Sequence, residues 1–219
     1  YNRISIGKIG KILNLIREKK SKKVLFAGKI AKPKFSSLKL DLKGVYYMPN
    51  VIKASKKGDA AIIKAIIKIL NDEGIKVMSS IYFNPELALR SGNYTKQKPN
   101  QYDLLSVKTG LNYFKKLNDL DHVQALIVRG NKVIAKEGKE GTKKMLSNLK
   151  KKIQGVLIKF PKKKQDLRID LPTIGLETLK DCKKYGLRGI ILKSKKNIIL
   201  NKNRCIKFAN QNNIFIKVL

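Results

Sequence analysis

Acidic side chains are scarce in this chain. Fifteen Asp and Glu stand against 50 Lys and Arg, a formal charge of +35, so carboxylates that fall close together are worth singling out. Arginine is scarce too, at seven of the 50 basic residues. It is the side chain best suited to bidentate recognition of phosphates and bases, and its scarcity counts against a sequence-specific nucleic-acid binder. Histidine occurs once, at His122. That excludes a multi-His zinc site and argues against a Ser-His-Asp triad; at the start of a strand pattern, His122 reads as structural. Cys182 and Cys205 lie apart in helix-like segments with no C-x-x-C spacing, and read as buried, reduced thiols of a cytosolic protein. No apolar run is long enough to cross a bilayer, and no signal peptide is visible. Helix-like sequence follows Tyr1 without an initiating methionine, so an upstream segment is expected.

What is present is ample core material and diffuse positive charge. Hydrophobic residues are 42% of 219, enough for one large domain or two small ones and too many for a disordered polybasic tail. A charge this high suggests nucleic acid first. However, the 43 lysines run along the whole chain and accompany 17 Asn and abundant Ile, the mix an AT-rich genome favours. Only weak, salt-sensitive adsorption to nucleic acid is expected.

The periodicities alternate helix and strand. Ile6, Ile9, Ile12, Leu13 and Ile16 predict a helix over 5–19 with Ser5 as its cap. Val24 to Ala27 predicts a buried strand. In the loop that follows, Lys32, Lys34, Phe35, Ser36 and Ser37 put cations, hydroxyls and an aromatic together; Phe35 either receives a base or plugs the core. Lys57-Gly58-Asp59 ends a short helix and starts the next, with Asp59 as N-cap. That helix, 60–70, is apolar enough to be buried on most sides or to face lipid. Gly74 stops it and 75–78 is a strand. Between Tyr82 and Gln101 the pattern dissolves into Asn, Pro, Gly, Ser and Lys, which predicts an interdomain linker. The expected domains are therefore residues 1–81 and 102–219, both α/β.

In the second domain a helix is predicted over 103–117, then strands over 122–128 and 132–136 joined by a Gly130-Asn131 turn. Glu137 and Glu140 precede Gly141 and Thr142, with Thr142 placed to cap a helix running to about 149. A helix start preceded by glycine suits an anion; two glutamates beside it suggest a metal or a ribose hydroxyl. Later come a helix over 176–185, a strand over 189–192, a hairpin at 195–197 into a strand over 198–200, a helix over 204–210 and a strand over 214–218.

The centre of the chain is 155–175, GVLIKFPKKKQDLRIDLPTIG. Val156, Leu157 and Ile158 read as a strand buried on both faces, ended by Pro161. The loop after it carries Lys162 to Lys164, Gln165, Asp166, Arg168 and Asp170. Loops at strand ends are where α/β proteins hold ligands. Two carboxylates four apart suit a magnesium ion bridged to phosphate oxygens, with Lys and Arg neutralising the rest. The plainer alternative is a loop whose Asp side chains bond nearby backbone N–H groups.

Taken together these segments resemble a known family: the Mg²⁺-dependent UDP-2,3-diacylglucosamine pyrophosphatases of lipid A (lipopolysaccharide) synthesis, found in α-proteobacteria among others. The matching pieces are FAGKIAKPKFSSLK at 26–39, KGD at 57–59, EGKEGT at 137–142 and the whole of 155–175. Lys143 stands where the family usually has an acidic residue. The resemblance implies two α/β domains with the active site in the cleft between them, and an upstream strand with a glycine-rich turn. It implies hydrolysis of a UDP-linked diacyl sugar to UMP and the sugar 1-phosphate. Asp166 would hold Mg²⁺ or orient water, with Asp170 in support. Lys159, Gln165 and Arg168 would contact the diphosphate. Lys32, Ser36, Ser37, Lys57, Asp59, Glu140 and Thr142 would complete the substrate site. A cytoplasmic enzyme, transiently peripheral on the inner membrane and compatible with a homodimer, is expected, with no specific nucleic-acid partner. The rival readings are a non-enzymatic basic RNA- or ribosome-binding protein and a module that carries nucleotide sugars without cleaving them.

Overall fold

A computed structural model describes residues 1–28, 34–118, 123–149, 152–163 and 165–219, with the backbone alone at 59 and 60. The protein is mixed α/β and divides into two compact units, Tyr1–Phe83 and Asn84–Leu219.

In the first unit, α1 (Ile9–Glu18) leads to β1 (Lys23–Leu25), a 3₁₀ turn (Phe35–Ser37), α2 (Leu42–Ser55), α3 (Asp59–Asp72), β2 (Lys76–Met78) and the short α4 (Ser80–Phe83). Strands β1 and β2 pair in parallel, Val24 opposite Val77. Met48, Val51 and Ile69 form a core where α2 meets α3, and Phe35 packs against it. Of its two readings, Phe35 is therefore the plug.

Ser5 does not cap α1. The cap comes from far away: Asp41 accepts from the Gly10 and Lys11 N–H groups at 3.1 and 3.0 Å, and from Gly44 N–H at 2.7 Å. One carboxylate thus satisfies the N-termini of α1 and α2 together. Burial raises the Asp41 pKa, but the backbone donors outweigh it and hold the group below the usual carboxylate range. The close approach needs glycine, since a Cβ on Gly44 would lie 2.3 Å from the Gly7 carbonyl oxygen. Helix α2 is longer than the short helix expected and continues past Pro49. Asp59 is the first residue of α3 rather than its N-cap; Gly58 takes that place with φ +104°, a conformation open to glycine.

Glu73, just past α3, ties the unit together. It accepts from Arg17 of α1 and from Lys43 and Tyr47 of α2. The Lys43 and Tyr47 bonds hold its pKa down despite burial, and the hydrogen bond to it, with burial and its charge, pushes Tyr47 up to about 12.

The second unit is built on a six-stranded sheet in the order β3-β10-β8-β6-β4-β5. Its elements are a 3₁₀ turn (Pro85–Leu87), β3 (Gly92–Asn93), α5 (Gln101–Lys116), β4 (Ala125–Arg129), β5 (Lys132–Lys136), α6 (Gly141–Ser147), β6 (Val156–Lys159), β7 (Thr173–Ile174), α7 (Leu176–Lys184), β8 (Gly189–Leu192), β9 (Ile198–Ile199), α8 (Lys202–Gln211) and β10 (Phe215–Val218). Strands β6, β8 and β10 are parallel, whereas β4 runs antiparallel to β6 and β5, and β3 antiparallel to β10. Alternate residues feed two cores. Leu157, Ile190 and Ile216 join Leu179 of α7 and Cys205 of α8 on one face, and Val156, Ile158, Ile191 and Phe215 join Val107 of α5 on the other. Both cysteines are free and buried, and burial raises both thiol pKa values.

Two expectations are corrected here. The stretch 82–101, read as a linker, belongs from Asn84 onward to the second unit. Its β3 pairs with β10, Leu89 is buried, and Thr95 Oγ1 accepts from Ile216 N–H at 2.9 Å. The segment 198–200 does not form a hairpin with β8, because β9 pairs in parallel with β7 in a separate two-stranded sheet.

Glu73→Gln should lower the melting temperature of the first unit by roughly 5–10 °C at pH 7, about 1–2 kcal/mol for a charged hydrogen-bond hub. Because the folded pKa lies below 4.5, the wild-type advantage is full above that pH and fades as the pH falls through the folded value. Melts of both proteins by circular dichroism across pH 3–7 check this.

Candidate active site

The parallel strands β6, β8 and β10 end on one edge of the sheet, and the loops after β6 and β8 are fastened there. Asn197 is fully buried. Its Oδ1 accepts from Lys193 N–H at 2.8 Å, and its Nδ2 donates to the Lys159 and Pro172 carbonyls at 3.1 and 3.4 Å. The loop 160–172 is pinned at both ends by this one amide.

Lys159, the last residue of β6, is 8% exposed, as is Glu137. Its ammonium donates to Thr142 Oγ1 at 2.8 Å, and the Thr142 hydroxyl donates to Glu137 Oε1 at 3.0 Å. Burial pushes the Lys159 pKa down, opposed by the charges of Glu137 and Asp170 and reinforced by Lys162. The other Glu137 oxygen, Oε2, is buried and has no hydrogen-bond partner among the described residues. Thr142 is not the cap of α6 but lies inside its first turn; Glu140 takes the N-cap position, is exposed, and makes no side-chain cap bond.

Gln165 supplies a complementary vacancy. Its Oε1 accepts from Lys162 N–H at 2.9 Å and from Gln124 Nε2 at 2.8 Å, while its own Nε2 is buried and has no partner among the described residues. An unmet buried polar atom costs about 1–3 kcal/mol, so the Glu137 acceptor and the Gln165 donor are each available to a ligand.

Asp166 is engaged by its neighbour. It accepts from Arg168 N–H, Nε and Nη2 at 3.1, 2.9 and 2.7 Å, and its carbonyl accepts from Asp170 N–H at 3.0 Å. The Asp166 bond raises the Arg168 pKa. The arrangement includes the backbone-bonding turn of the plainer reading, together with a bidentate ion pair that a phosphate can compete for.

The second unit therefore places Thr142 and Asp170 about the Lys159 ammonium at the end of β6, with Gln165 and the Asp166–Arg168 pair in the loop that follows. Ser36, Ser37, Lys57 and Asp59 belong to the first unit, where the Ser37 hydroxyl donates to Lys34 O and Lys57 is exposed. Lys32 and His122 lie outside the described residues. The sequence marks Glu137, beside Glu140, as suited to a metal or a ribose hydroxyl, without placing it in the substrate site. Its signal was present: it continues the inward phase of Val133 and Ala135 on β5, where a carboxylate needs a partner. Asn197 and Gln124 carried no such signal. Among the described residues no three His, Cys, Asp or Glu side chains come together to hold a cation.

This is an open α/β sheet with a cationic, hydrogen-bonding loop cluster at its strand ends, the class of protein that binds anionic ligands there. Comparison with known sequences is specific. The family model of the LpxI N-terminal domain matches residues 1–87 and that of the LpxI C-terminal domain residues 90–217. The UDP-2,3-diacylglucosamine pyrophosphatase LpxI of Caulobacter vibrioides is 30% identical over 223 residues, covering 97% of this chain and 80% of that protein. The chain belongs to the LpxI family.

Thr142→Val removes the hydroxyl between Lys159 and Glu137 and should destabilise the second unit by about 1–3 kcal/mol, since both charged groups lose a partner. Thr142→Ser keeps the bridge and should stay within about 1 kcal/mol of wild type. Urea unfolding of the three proteins measures this.

Proposed function

We propose that this protein hydrolyses the diphosphate of UDP-2,3-diacylglucosamine to UMP and 2,3-diacylglucosamine 1-phosphate in lipid A biosynthesis. The observation that carries the reading is the relationship to the Caulobacter enzyme along nearly the whole chain. The buried cation and the two unmet polar atoms at the end of β6 support it. The oxygen of water bonds to one phosphorus, and the bridging oxygen leaves with the electron pair of the broken anhydride bond. Water supplies the two protons that finish on the products or in solution.

Such a reaction needs neutralised phosphate oxygens and an aligned water. In this reading the Lys159 ammonium and the Gln165 amide donate to the diphosphate. Arg168, whose guanidinium remains accessible, turns from Asp166 to the phosphate; the Asp166 carboxylate orients the attacking water, with Asp170 in support.

A magnesium ion fits the donors as a guest shared with the substrate rather than held in a protein cage. Glu137 Oε2 is an oxygen without a hydrogen-bond partner among the described residues, and Mg²⁺ is commonly bound by one or two carboxylates plus phosphates. Asp166 is the second carboxylate proposed for it. When bound, the ion would offset negative charge on the diphosphate. No helix among the described residues is long and apolar enough to cross a membrane. We place the enzyme in the cytoplasm, meeting its lipid substrate at the inner-membrane surface.

Incubation with UDP-2,3-diacylglucosamine and Mg²⁺ should release UMP, and a chelator should stop it. Asp166→Ala should fold normally, bind the substrate, and release UMP on the order of 10²-fold more slowly or worse, as when one key transition-state contact is removed. Near-normal UMP release by the folded variant would end the assignment of Asp166. No UMP from the wild type would end the reading itself.

A further inference from the structure

Helix α2 has an outward face that the fold leaves uncovered. Leu42 is 91% exposed, Tyr46 75%, Val45 60% and Ile52 39%, and Pro49 is exposed between them. The spacing 42, 45, 46, 49 repeats every three or four residues, so these side chains share one stripe. The stripe is not surplus core, because α2 already buries Gly44, Met48 and Val51 on its other side. Apolar patches of this kind on a folded surface mark an interaction site.

The charges around the stripe decide its partner. Helix α2 contains no Asp or Glu. The carboxylates that touch it are both engaged: Asp41 accepts from the backbone N–H groups of Gly10, Lys11 and Gly44, and Glu73 from Arg17, Lys43 and Tyr47. Lys53, Lys56 and Lys57 are exposed at the far end of the helix and Lys39 just before its start. A second copy would bring like-charged rims together within a chain of net charge +35, which disfavours self-association. An apolar stripe with an interfacial tyrosine and flanking lysines matches a helix lying in the surface of an anionic bilayer. We propose that the Leu42–Val45–Tyr46–Ile52 face of α2 docks on anionic lipid, with the flanking lysines on the headgroups. The need for such a surface rests on the proposed function, since a diacyl sugar substrate resides in a membrane.

The test is vesicle flotation of the full chain with phosphatidylcholine, with or without phosphatidylglycerol. Wild type should float with the anionic vesicles and stay behind with the neutral ones. Leu42→Ser/Tyr46→Ser and, separately, Lys53→Glu/Lys56→Glu should each cut the bound fraction roughly tenfold, with unchanged circular dichroism. Equal binding to both vesicle types, or wild-type binding by Leu42→Ser/Tyr46→Ser, would overturn the proposal. So would a dimer in light scattering that this variant dissociates without losing vesicle binding. UMP release from detergent-dispersed substrate, measured alongside, should be the same in wild type and Leu42→Ser/Tyr46→Ser. If wild type floats as described but releases no UMP, the pyrophosphatase reading falls while the docking surface stands.

Discussion

Taking an ammonium group out of water costs several kcal/mol unless acceptors and opposite charge surround it. Lys159 ends the strand β6, which pairs with both β4 and β8, and its charge has nowhere to go but into its surroundings. The end of β5 supplies Glu137, the first turn of α6 supplies Thr142, and the loop after β6 supplies Asp170. Asn197 fastens the same loop to the turn after β8. The arrangement is satisfied on the side of Thr142 and, among the described residues, left open at Glu137 Oε2 and Gln165 Nε2. A site that binds a charged ligand has this character: the scaffold completes most of the hydrogen bonding and leaves the remainder to the ligand.

The first unit solves its own version of the problem with carboxylates. In a chain so poor in acids, Asp41 joins the starts of two helices and Glu73 gathers donors from α1 and α2. In the second unit Asp103 completes a capping box with Asn100 and also accepts from Arg188. Each acts as a hub among helices and strands distant in sequence. These acids are therefore structural, and that narrows the search for chemistry to the group at the end of β6.

Elements that carry their own period were legible. The apolar run of β6, the helical repeat of α5 and the Gly130-Asn131 turn between β4 and β5 all specify themselves locally. What depended on a distant partner was not. The cap of α1 comes from Asp41, thirty residues on, and β3 is recognisable as a strand only once β10 lies beside it. The helix before Gly58 reads as short, yet α2 runs from Leu42 to Ser55 through Pro49. The proposed site residues followed the same rule. Those in 155–175 stand in one contiguous motif and Glu137 lies in the phase of β5 beside a helix start, whereas Asn197 enters the site through tertiary contacts alone.

In the proposed reaction the buried Lys159 ammonium at the end of β6 anchors the diphosphate. Phosphorus NMR of UDP-2,3-diacylglucosamine with wild type and with Lys159→Met, a substitution of similar volume without charge, tests it directly. Wild type should convert the paired diphosphate resonances into two monophosphate signals, while folded Lys159→Met should leave them on the order of 10²-fold longer. Conversion by the folded variant at the wild-type rate would contradict it.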